Sequence, residues 1–363
     1  MAELKNIRIK DIALMAGVSV ATVDRVLHNR GKISPKALAK VMEALDQTGY
    51  KPNLIASTLG SNKLYRIATI LPDPALDDYW NQSGAGIFRA REEWSQYHVR
   101  IESFYFDMRD RASFNLVAEQ ALASAPDALL IAPTFHREAV GLFKTLQERE
   151  IPYILFNTNI PEAEPLGFIG QDLYQSGRVG AELLWARLGA PCALAILHLD
   201  EEMSNAVHLK EKERGFRDFF LERASAGYRL FSYDFGSFSE AQLERELLAA
   251  LDRDAISGIF VSTSKGSYQT ASILDKHGRK GIVLVGYDLL KNNIHYMYEG
   301  VIHYLINQNP GRQAFLGISY LVNYLLFKKQ PPSTDLFPLE IISRENLKSY
   351  LNAGLILISA FLF

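Results

Sequence analysis

Cysteine is almost absent from this sequence, because Cys192 is the single one among 363 residues. One thiol cannot form an internal disulfide or a multi-thiolate metal centre, and such sparse usage is typical of a reducing compartment. Residues 1–10 are interrupted by Lys5, Arg8 and Lys10 and lack the apolar core of an export signal. From these absences we expect a cytoplasmic protein.

Long apolar runs are also missing. The longest one near the end of the chain, residues 355–363, is far shorter than the roughly 20 residues that a membrane-spanning helix needs. We therefore expect no membrane contact. Two interpretations of this run stay open: a terminal β-strand, or an artefact of the expressed sequence or of its reading frame.

Signatures of catalysis are the third absence. The sequence has no Gly-x-Ser-x-Gly, no His-Glu-x-x-His, no Walker-type phosphate loop and no Gly-x-Gly-x-x-Gly after a strand. Ser262–Lys265 fits Ser-x-x-Lys, but the companion motifs of that enzyme class are missing, so chance explains the match better. Among the scattered histidines only His295 and His303 hint at a cluster. We predict no enzyme, no cofactor and no metal site.

What is present is the composition of an ordinary globular protein, with 48% hydrophobic residues, 22% charged residues and a net charge of -2. The length predicts two or three domains. The charge is uneven: residues 1–62 have nine Lys or Arg against five Asp or Glu, whereas residues 63–363 have 30 against 36. A short basic head on an acidic body indicates that the head binds a polyanion.

Apolar spacing predicts three helices in the basic head. A stripe at i, i+3, i+4 and i+7 predicts a first helix that buries Ile9, Ile12, Ala13 and Ala16. Gly17 ends it, and Ser19 is placed to cap a second helix that packs through Val23, Val26 and Leu27. A third helix begins with Ser34 as N-cap and Pro35 at its first position, and Gly49 stops it. Its predicted buried residues are Leu38, Val41, Met42 and Leu45.

The second helix presents its other face to the outside. That face carries Val20, Ala21, Asp24, Arg25 and His28. Two short helices joined by a Gly-Val-Ser turn form the unit that enters a DNA major groove. We therefore predict a helix-turn-helix in which Arg25 contacts a base edge or a phosphate. The segment 53–60 is predicted as a further helix, which is too short to be stable alone.

Four ordered stretches of the head are similar to a known family. They are Ile9–Leu27, Ile33–Ser34, Tyr50–Asn53 and Ala56–Leu59. Together they resemble the LacI/GalR family of bacterial transcription regulators. The resemblance implies that Val20 and Ala21 select bases, that Arg25 contacts a base, and that a hinge-helix leucine, Leu59, enters the minor groove and kinks the duplex. The DNA-contacting set predicted in this way is Ser19, Val20, Ala21, Thr22, Asp24, Arg25, His28, Asn53, Ala56 and Leu59.

Asp24 departs from the pattern of this family, in which many members have a small polar residue at that position. An acid near DNA phosphates repels them unless it accepts a hydrogen bond from a cytosine amino group or pairs with Arg25. The operator sequence therefore cannot be copied from relatives.

From Tyr65 onward, short apolar runs alternate with segments of helix length. The runs are residues 67–71, 99–106, 128–131, 153–156, 193–197, 258–261 and 282–285. Strands buried on both faces and alternating with helices predict doubly wound parallel sheets, and their number predicts two of them. Ligands of such folds bind outside the carboxyl ends of the strands.

Hydrogen-bonding and aromatic residues follow several of these runs, which suits a polyol. Hydroxyls pair with Asp and Asn, and the apolar face of a sugar ring stacks on Trp or Tyr. Three stretches, Phe168–Leu183, Leu284–Asp288 and Ile306–Gln308, resemble the periplasmic sugar-binding proteins of the ribose-binding type and the LacI-family effector domain. The body is thus predicted as a two-lobed, type I periplasmic-binding-protein-like α/β domain.

By this resemblance Tyr79 and Trp80 stack on a sugar, and Asp288 binds a hydroxyl. Lys210 falls near a ligand-binding arginine of relatives, and His208 is the alternative to it. The ligand-binding set predicted in this way is Asp78, Tyr79, Trp80, Asn157, Asp172, Lys210, Thr263, Asp288 and Gln308. No evident pair of arginines is available for a phosphate, which favours a neutral sugar.

These inferences give the following organisation. We expect an all-α DNA-binding domain at 1–52, a hinge helix at 53–62, an effector domain at 63–350 and an apolar tail at 351–363. Lobe 1 is expected at about 63–171 and 309–338, and lobe 2 at about 172–308 and 339–350.

The predicted function is that of a homodimeric regulator, a repressor, that binds a pseudo-palindromic operator in double-stranded DNA and responds to a sugar-like effector. The alternative is a sugar-binding protein of a transport or sensing system without a DNA function.

Overall fold

The structure is a computed structural model that describes residues 9–27, 33–48, 63–160, 162–199, 203–223, 227–236 and 238–359. Of residue 204 and residues 353–359 only the backbone is described. Internal contacts divide the chain into two compact units, Met1–Asn62 and Lys63–Phe363.

The head contains the three predicted helices, which are α1 (Ile9–Ala16), α2 (Val20–Leu27) and α3 (Pro35–Thr48). Gly17 ends α1 with a φ of +60°, a left-handed backbone that glycine adopts without strain. The core consists of Ile12, Ala13, Ala16, Val23, Val41 and Ala44. Four predicted contact residues and the hinge helix at 53–62 lie outside the described residues; the four are His28, Asn53, Ala56 and Leu59.

The predicted buried face of α3 was partly wrong. Leu38 and Met42 are 42% and 48% exposed, whereas Ala44 is buried. A helix turns by about 100° per residue, so Met42 is rotated by that angle from its buried neighbour Val41. Ala44 is three residues from Val41 and therefore lies on the same face of the helix, where it is part of the core.

The body begins with elements that alternate strand and helix up to residue 170. They are β1 (Tyr65–Pro72), α4 (Asp78–Glu93), β2 (Val99–Phe106), α5 (Arg111–Ala123), β3 (Ala128–Ile131), α6 (His136–Glu148), β4 (Tyr153–Asn157) and β5 (Gly167–Gly170). A second series repeats the alternation. It consists of α7 (Leu173–Leu188), β6 (Ala193–Leu199), α8 (Val207–Glu222), β7 (Arg229–Phe235), α9 (Glu240–Asp254), β8 (Ile256–Val261), α10 (Ser264–Lys276), β9 (Val283–Tyr287), α11 (Lys291–Tyr298) and β10 (Tyr304–Asn307). The chain ends with α12 (Pro310–Phe327), β11 (Thr334–Leu336), β12 (Glu340–Ile342) and α13 (Arg344–Ser359).

These strands form two six-stranded sheets with the orders β11-β5-β4-β3-β1-β2 and β12-β10-β9-β8-β6-β7. All neighbouring strands are parallel except β12, which runs antiparallel to β10. Helices cover both faces of each sheet, so the central strands are almost completely buried, whereas the edge strands keep exposed residues. The predicted pair of doubly wound parallel sheets is confirmed. We call the first sheet with its helices lobe 1 and the second lobe 2.

The chain crosses between the lobes three times, after β5, after β10 and after β11. Five strands were not among the predicted apolar runs: β5, β7, β10, β11 and β12. The edge strand β7 alternates exposed and half-buried residues, and the other four have only three or four residues each. Strands of three or four residues are too short to give a periodic signal, whereas the alternation of apolar and polar residues in β7 is a strand signal that a criterion of unbroken apolar runs does not detect.

The expectation of a terminal β-strand is wrong for residues 355–359, because α13 continues through them. Leu347 is fully buried in lobe 2, and Tyr350 and Leu351 pack beside it at helical spacing. The side chain of Asn346 accepts a hydrogen bond from the Ser343 amide, which fixes the first turn. No helix in the described part of the chain is both long and apolar enough to cross a membrane.

Candidate ligand cleft and nucleic-acid interface

A cleft of about 560 Å³, counting the space open to solvent, lies between residues of lobe 1 and lobe 2. Its walls are formed where the strands of both sheets end at their carboxyl ends, as the fold predicts. Lobe 1 contributes Asp77, Tyr79, Trp80, Met108, Thr134 and Asn157. Lobe 2 contributes Leu199, His208, Lys212, Ser262, Thr263, Ser264 and Lys265, and Gln308 comes from the second crossover.

The lobe 1 wall is built on the first turn of α4. Asp77 caps this helix, because its carboxylate accepts a hydrogen bond of 2.8 Å from the Tyr79 amide. Tyr79 and Trp80 pack edge to face with ring centroids 5.0 Å apart, and both are more than nine-tenths buried. Only a small part of each ring therefore reaches the cleft. Asp78 is exposed and does not line the cleft, so the expected acidic residue there is Asp77.

Asn157 connects the aromatic wall to the crossovers. Its side-chain amide donates a hydrogen bond to the Tyr79 hydroxyl, and its backbone amide donates one of 3.0 Å to Gln313. Gln313 in turn donates to the Gln308 carbonyl at 2.8 Å. The predicted residues Asn157 and Gln308 thus both reach the cleft and are joined by a single intervening side chain.

Asp288 is in the predicted region but not in the cleft wall. It is completely buried, and its carboxylate accepts hydrogen bonds from the Ser264 hydroxyl and from both the backbone and side-chain amides of Gln308, the latter two at 2.7 Å. Burial raises the pKa of this carboxyl, while these hydrogen bonds and Lys212 oppose the rise. In this structure the Asp288 carboxylate positions Ser264 and Gln308, and its contact with a sugar hydroxyl stays a prediction.

The lobe 2 wall is built on the first turns of α8 and α10. Thr263 caps α10, because its hydroxyl accepts a hydrogen bond from the Gly266 amide at 3.3 Å. From α8 come His208 and Lys212, both more than nine-tenths buried. The Lys212 ammonium donates to the Ser262 carbonyl at 2.9 Å and lies 3.7 Å from the centre of the Tyr287 ring.

Lys210, the predicted ligand residue of α8, is exposed and outside the cleft wall. Two positions along a helix correspond to a rotation of about 200°, so Lys210 and Lys212 point to opposite sides. Lys212 continues the stripe of His208 and Phe216 at a spacing of four residues. A lysine within an otherwise buried stripe was the signal that the sequence offered and that pattern reasoning missed.

A buried polar network supports the Ser262 end of this wall. The two ring nitrogens of His198 contact the Ser262 hydroxyl at 2.8 Å and the Glu213 carboxylate at 2.7 Å. Arg217 donates to the same carboxylate at 2.7 Å. Burial alone would raise the pKa of Glu213, but the hydrogen bonds from His198 and Arg217 outweigh it and lower the pKa to about 2. The Ser262 hydroxyl donates to the Leu197 carbonyl at 3.1 Å, so the network holds Ser262 in place.

Asp172 is not part of the cleft either. It caps α7 by accepting a hydrogen bond of 2.9 Å from the Gln175 amide, and its side chain is exposed at the first crossover. Among the described residues, no group of three His, Cys, Asp or Glu side chains is arranged to hold a metal ion.

The helix-turn-helix presents the predicted face of α2. Val20 is 45% exposed, Ala21 and Arg25 are exposed as well, and Val23 is buried in the core. The Ser19 hydroxyl caps α2 by accepting from the Thr22 amide at 3.1 Å, and the two hydroxyls are 2.9 Å apart. Thr22 therefore takes part in the cap and is, like Asp24, half-buried.

Comparison with known proteins agrees with this division. Residues 67–329 match the periplasmic binding protein domain, and residues 8–53 match the lacI family of bacterial regulatory proteins. The chain is 24% identical to the sucrose operon repressor of Streptococcus mutans over 94% of this chain and 99% of that protein. It is 27% identical to the transcriptional regulator MalR of Streptococcus pneumoniae, but the match spans only 51% of that protein's length.

Solved structures give the same fold. A Bacteroides fragilis protein assigned as a LacI transcriptional regulator superposes with a TM-score of 0.75 and 26% identity, over 79% of this chain and 100% of that one. GanP, a glucose-galactose binding protein of Geobacillus stearothermophilus, superposes with a TM-score of 0.70 and 18% identity, over 79% and 99%. At that identity GanP is evidence for the fold alone.

Proposed function

Because the chain belongs to the periplasmic binding protein domain family and carries a lacI-family head, we propose that it is a DNA-binding transcriptional regulator controlled by a sugar-like effector. One observation carries this proposal: a capped helix-turn-helix with Arg25 exposed occurs in the same chain as a two-lobed body whose cleft lies between the strand ends. The names of the relatives, a sucrose operon repressor among them, support the sugar class.

We propose further that the regulator acts as a homodimer on a pseudo-palindromic site in the cytoplasm. A single helix of eight residues makes few base contacts, and a two-fold pair of heads doubles them on a two-fold site. The effector is expected in the cleft described above, in contact with Tyr79, Trp80 and Asn157. Ligand binding controls DNA binding only if the ligand prefers one arrangement of the two lobes.

The test of DNA binding uses the full chain and labelled duplexes from the DNA that flanks its gene. We expect a protected palindrome and an affinity that falls steeply as salt rises, because each phosphate that is neutralised releases counterions. A shallow salt dependence without a protected site would contradict the proposal.

Two head variants separate base contacts from general charge. Arg25→Ala should lower affinity for the protected site by about 5- to 150-fold, the equivalent of about 1 to 3 kcal/mol, and affect non-specific DNA less. Lys40→Ala removes the same charge from α3 and should change both affinities by similar, smaller factors. Leu59→Ala is predicted to weaken specific binding more than non-specific binding, as a minor-groove wedge requires.

A further inference from the structure

We infer that Gln171 is the clasp of the interlobe hinge: a positioning residue that binds all three crossovers together without touching the ligand. Gln171 follows β5 in the first crossover and is 3% exposed. Its side-chain amide donates to the Asn307 carbonyl in the second crossover at 2.9 Å and to the Pro338 carbonyl in the third at 2.8 Å. A single nitrogen thus joins the three chain segments that connect the lobes.

The orientation of this amide is determined by its partners. Both acceptors are carbonyl oxygens, so the amide nitrogen must face them, and its two N–H groups are both used. The amide oxygen then has no hydrogen-bond partner within the described residues and is buried. A buried oxygen without a partner is costly. The two bonds from the nitrogen compensate for it, because turning the amide round would lose both.

Neighbouring contacts make the clasp part of a continuous unit. The Phe337 amide donates to the Gly170 carbonyl at 2.7 Å, which joins the third crossover to the first through the backbone. The Asn307 side chain donates to Glu340 at 2.7 Å, which joins the second crossover to the start of β12. Removing Gln171 would leave these two contacts, so the second crossover would lose its direct bond to the first and stay connected to it only through the third.

The position of the clasp determines what it does when the lobes move. Rotation about a hinge displaces atoms in proportion to their distance from the axis, and the axis must pass close to all three crossovers. An atom bonded to two crossovers from the third lies near that axis, so the clasp persists while the lobes open and close. It restricts the lobes to rotation about one axis, which lowers the conformational entropy that a ligand must remove on binding.

The test is hydrogen exchange with mass spectrometry on the full chain, without ligand or DNA, for Gln171→Met and Gln171→Glu. Both variants keep a side chain of similar length; Gln171→Met removes both donors, and Gln171→Glu leaves at most one, the O–H of a protonated carboxyl. Gln175→Met, an exposed amide four residues further along the chain, is the matched control. We expect peptides that cover 170–173, 305–309 and 336–340 to exchange at least tenfold faster in both variants, while β1, β3, β4, β6, β8 and β9 and all peptides of the control variant are unchanged.

Three results would overturn the inference. These are acceleration limited to the first crossover, uniform acceleration over both sheets, as a merely destabilising substitution gives, and no acceleration. If both variants fail to fold, hydrogen exchange of the wild-type protein is still a test. The clasp requires that the exchange rates of the three crossovers agree within about threefold, and unrelated rates would refute it.

A second experiment measures sugar binding and therefore rests on the proposed function. Its outcomes distinguish a failure of the clasp from a failure of the proposed function. Calorimetry with D-ribose, D-glucose, D-galactose and sucrose identifies a binding sugar, whose affinity should fall about tenfold in Gln171→Met and remain unchanged in Gln175→Met. An unchanged affinity in Gln171→Met would contradict the clasp while leaving a sugar-responsive regulator intact. If none of these sugars binds, the proposed sugar response is what is contradicted, and the exchange experiment still decides the clasp.

Discussion

The two lobes repeat one strand order but place different chemistry at the cleft. In each lobe a residue with a left-handed backbone stands at the carboxyl end of the fourth strand of the series: Asn157, the last residue of β4, has φ +70°, and Asp288, the residue directly after β9, has φ +63°. Asn157 lines the cleft, whereas Asp288 is completely buried behind Ser264 and Gln308. The fold therefore predicts which residues lie near the cleft, but the neighbours of each side chain determine whether that side chain lines it.

The largest expected effect tests a feature that both lobes share, a helix crossing without room for a side chain. A Cβ on Gly86 would lie 1.9 Å from the Gly311 carbonyl oxygen in lobe 1, and one on Gly177 would lie 1.9 Å from the Lys212 carbonyl oxygen in lobe 2. We predict that Gly86→Val and Gly177→Val each destabilise the body by about 4 kcal/mol or more, measured by urea denaturation. Gly141→Ala in α6, where the space is open, should instead stabilise slightly. If only one of the two valine variants were destabilised, the two helix crossings would not be equivalent.

The next prediction distinguishes a role in stability, expected of Asp288, from a role in sugar binding, expected of Asn157. Asp288→Ala leaves Ser264 and both amides of Gln308 without their acceptor and should cost about 3 kcal/mol of stability. Asn157→Ala removes one contact with Tyr79 and should cost less than about 1.5 kcal/mol, yet weaken sugar binding directly. Denaturation and calorimetry on the same samples check both. If Asp288→Ala abolished sugar binding at unchanged stability, Asp288 would be a direct ligand after all.

Lobe 2 also contains a carboxylate with a strongly lowered pKa, that of Glu213. The pKa of Glu213 falls from about 4.5 to about 2 because His198 and Arg217 donate to its carboxylate. This contribution to stability is present above pH 4.5 and is lost as pH falls from 4.5 towards 2. We predict that Glu213→Gln costs about 3 kcal/mol at pH 7 and progressively less at lower pH, in denaturation curves from pH 7 to 3. A cost that does not change with pH would show that charge is not its origin.

The smallest expected effects concern the two lysines of α8. Lys210→Met should change stability by less than about 1 kcal/mol and leave sugar affinity unchanged, because Lys210 is exposed and outside the cleft wall. Lys212→Met should lower sugar affinity, since Lys212 lines the cleft. Calorimetry with both variants decides, and the reverse order of effects would restore the original assignment of Lys210.

The comparison also shows which parts of the molecule were predictable. Both sheets and the first two helices of the head followed from apolar periodicity and from local caps such as Gly17 and Ser19, which depend on neighbours in sequence. Residues that follow strands were predicted to form the cleft, and Tyr79, Trp80, Asn157, Thr263 and Gln308 line it. The burial of individual side chains was not predictable, because it depends on residues distant in sequence. Asp288 is covered by Gln308, twenty positions away, and Gln171 finds its hydrogen-bond partners in the other two crossovers.

Fluorescence anisotropy measures the coupling between sugar binding and DNA binding in the full chain. The full chain is titrated onto the labelled palindrome at fixed salt, with and without a sugar that calorimetry shows to bind. We predict that the sugar changes DNA affinity by about 5- to 150-fold, in either direction, and that Asn157→Ala shifts this response to higher sugar concentration. A sugar that binds in the cleft and leaves DNA affinity unchanged would contradict this coupling.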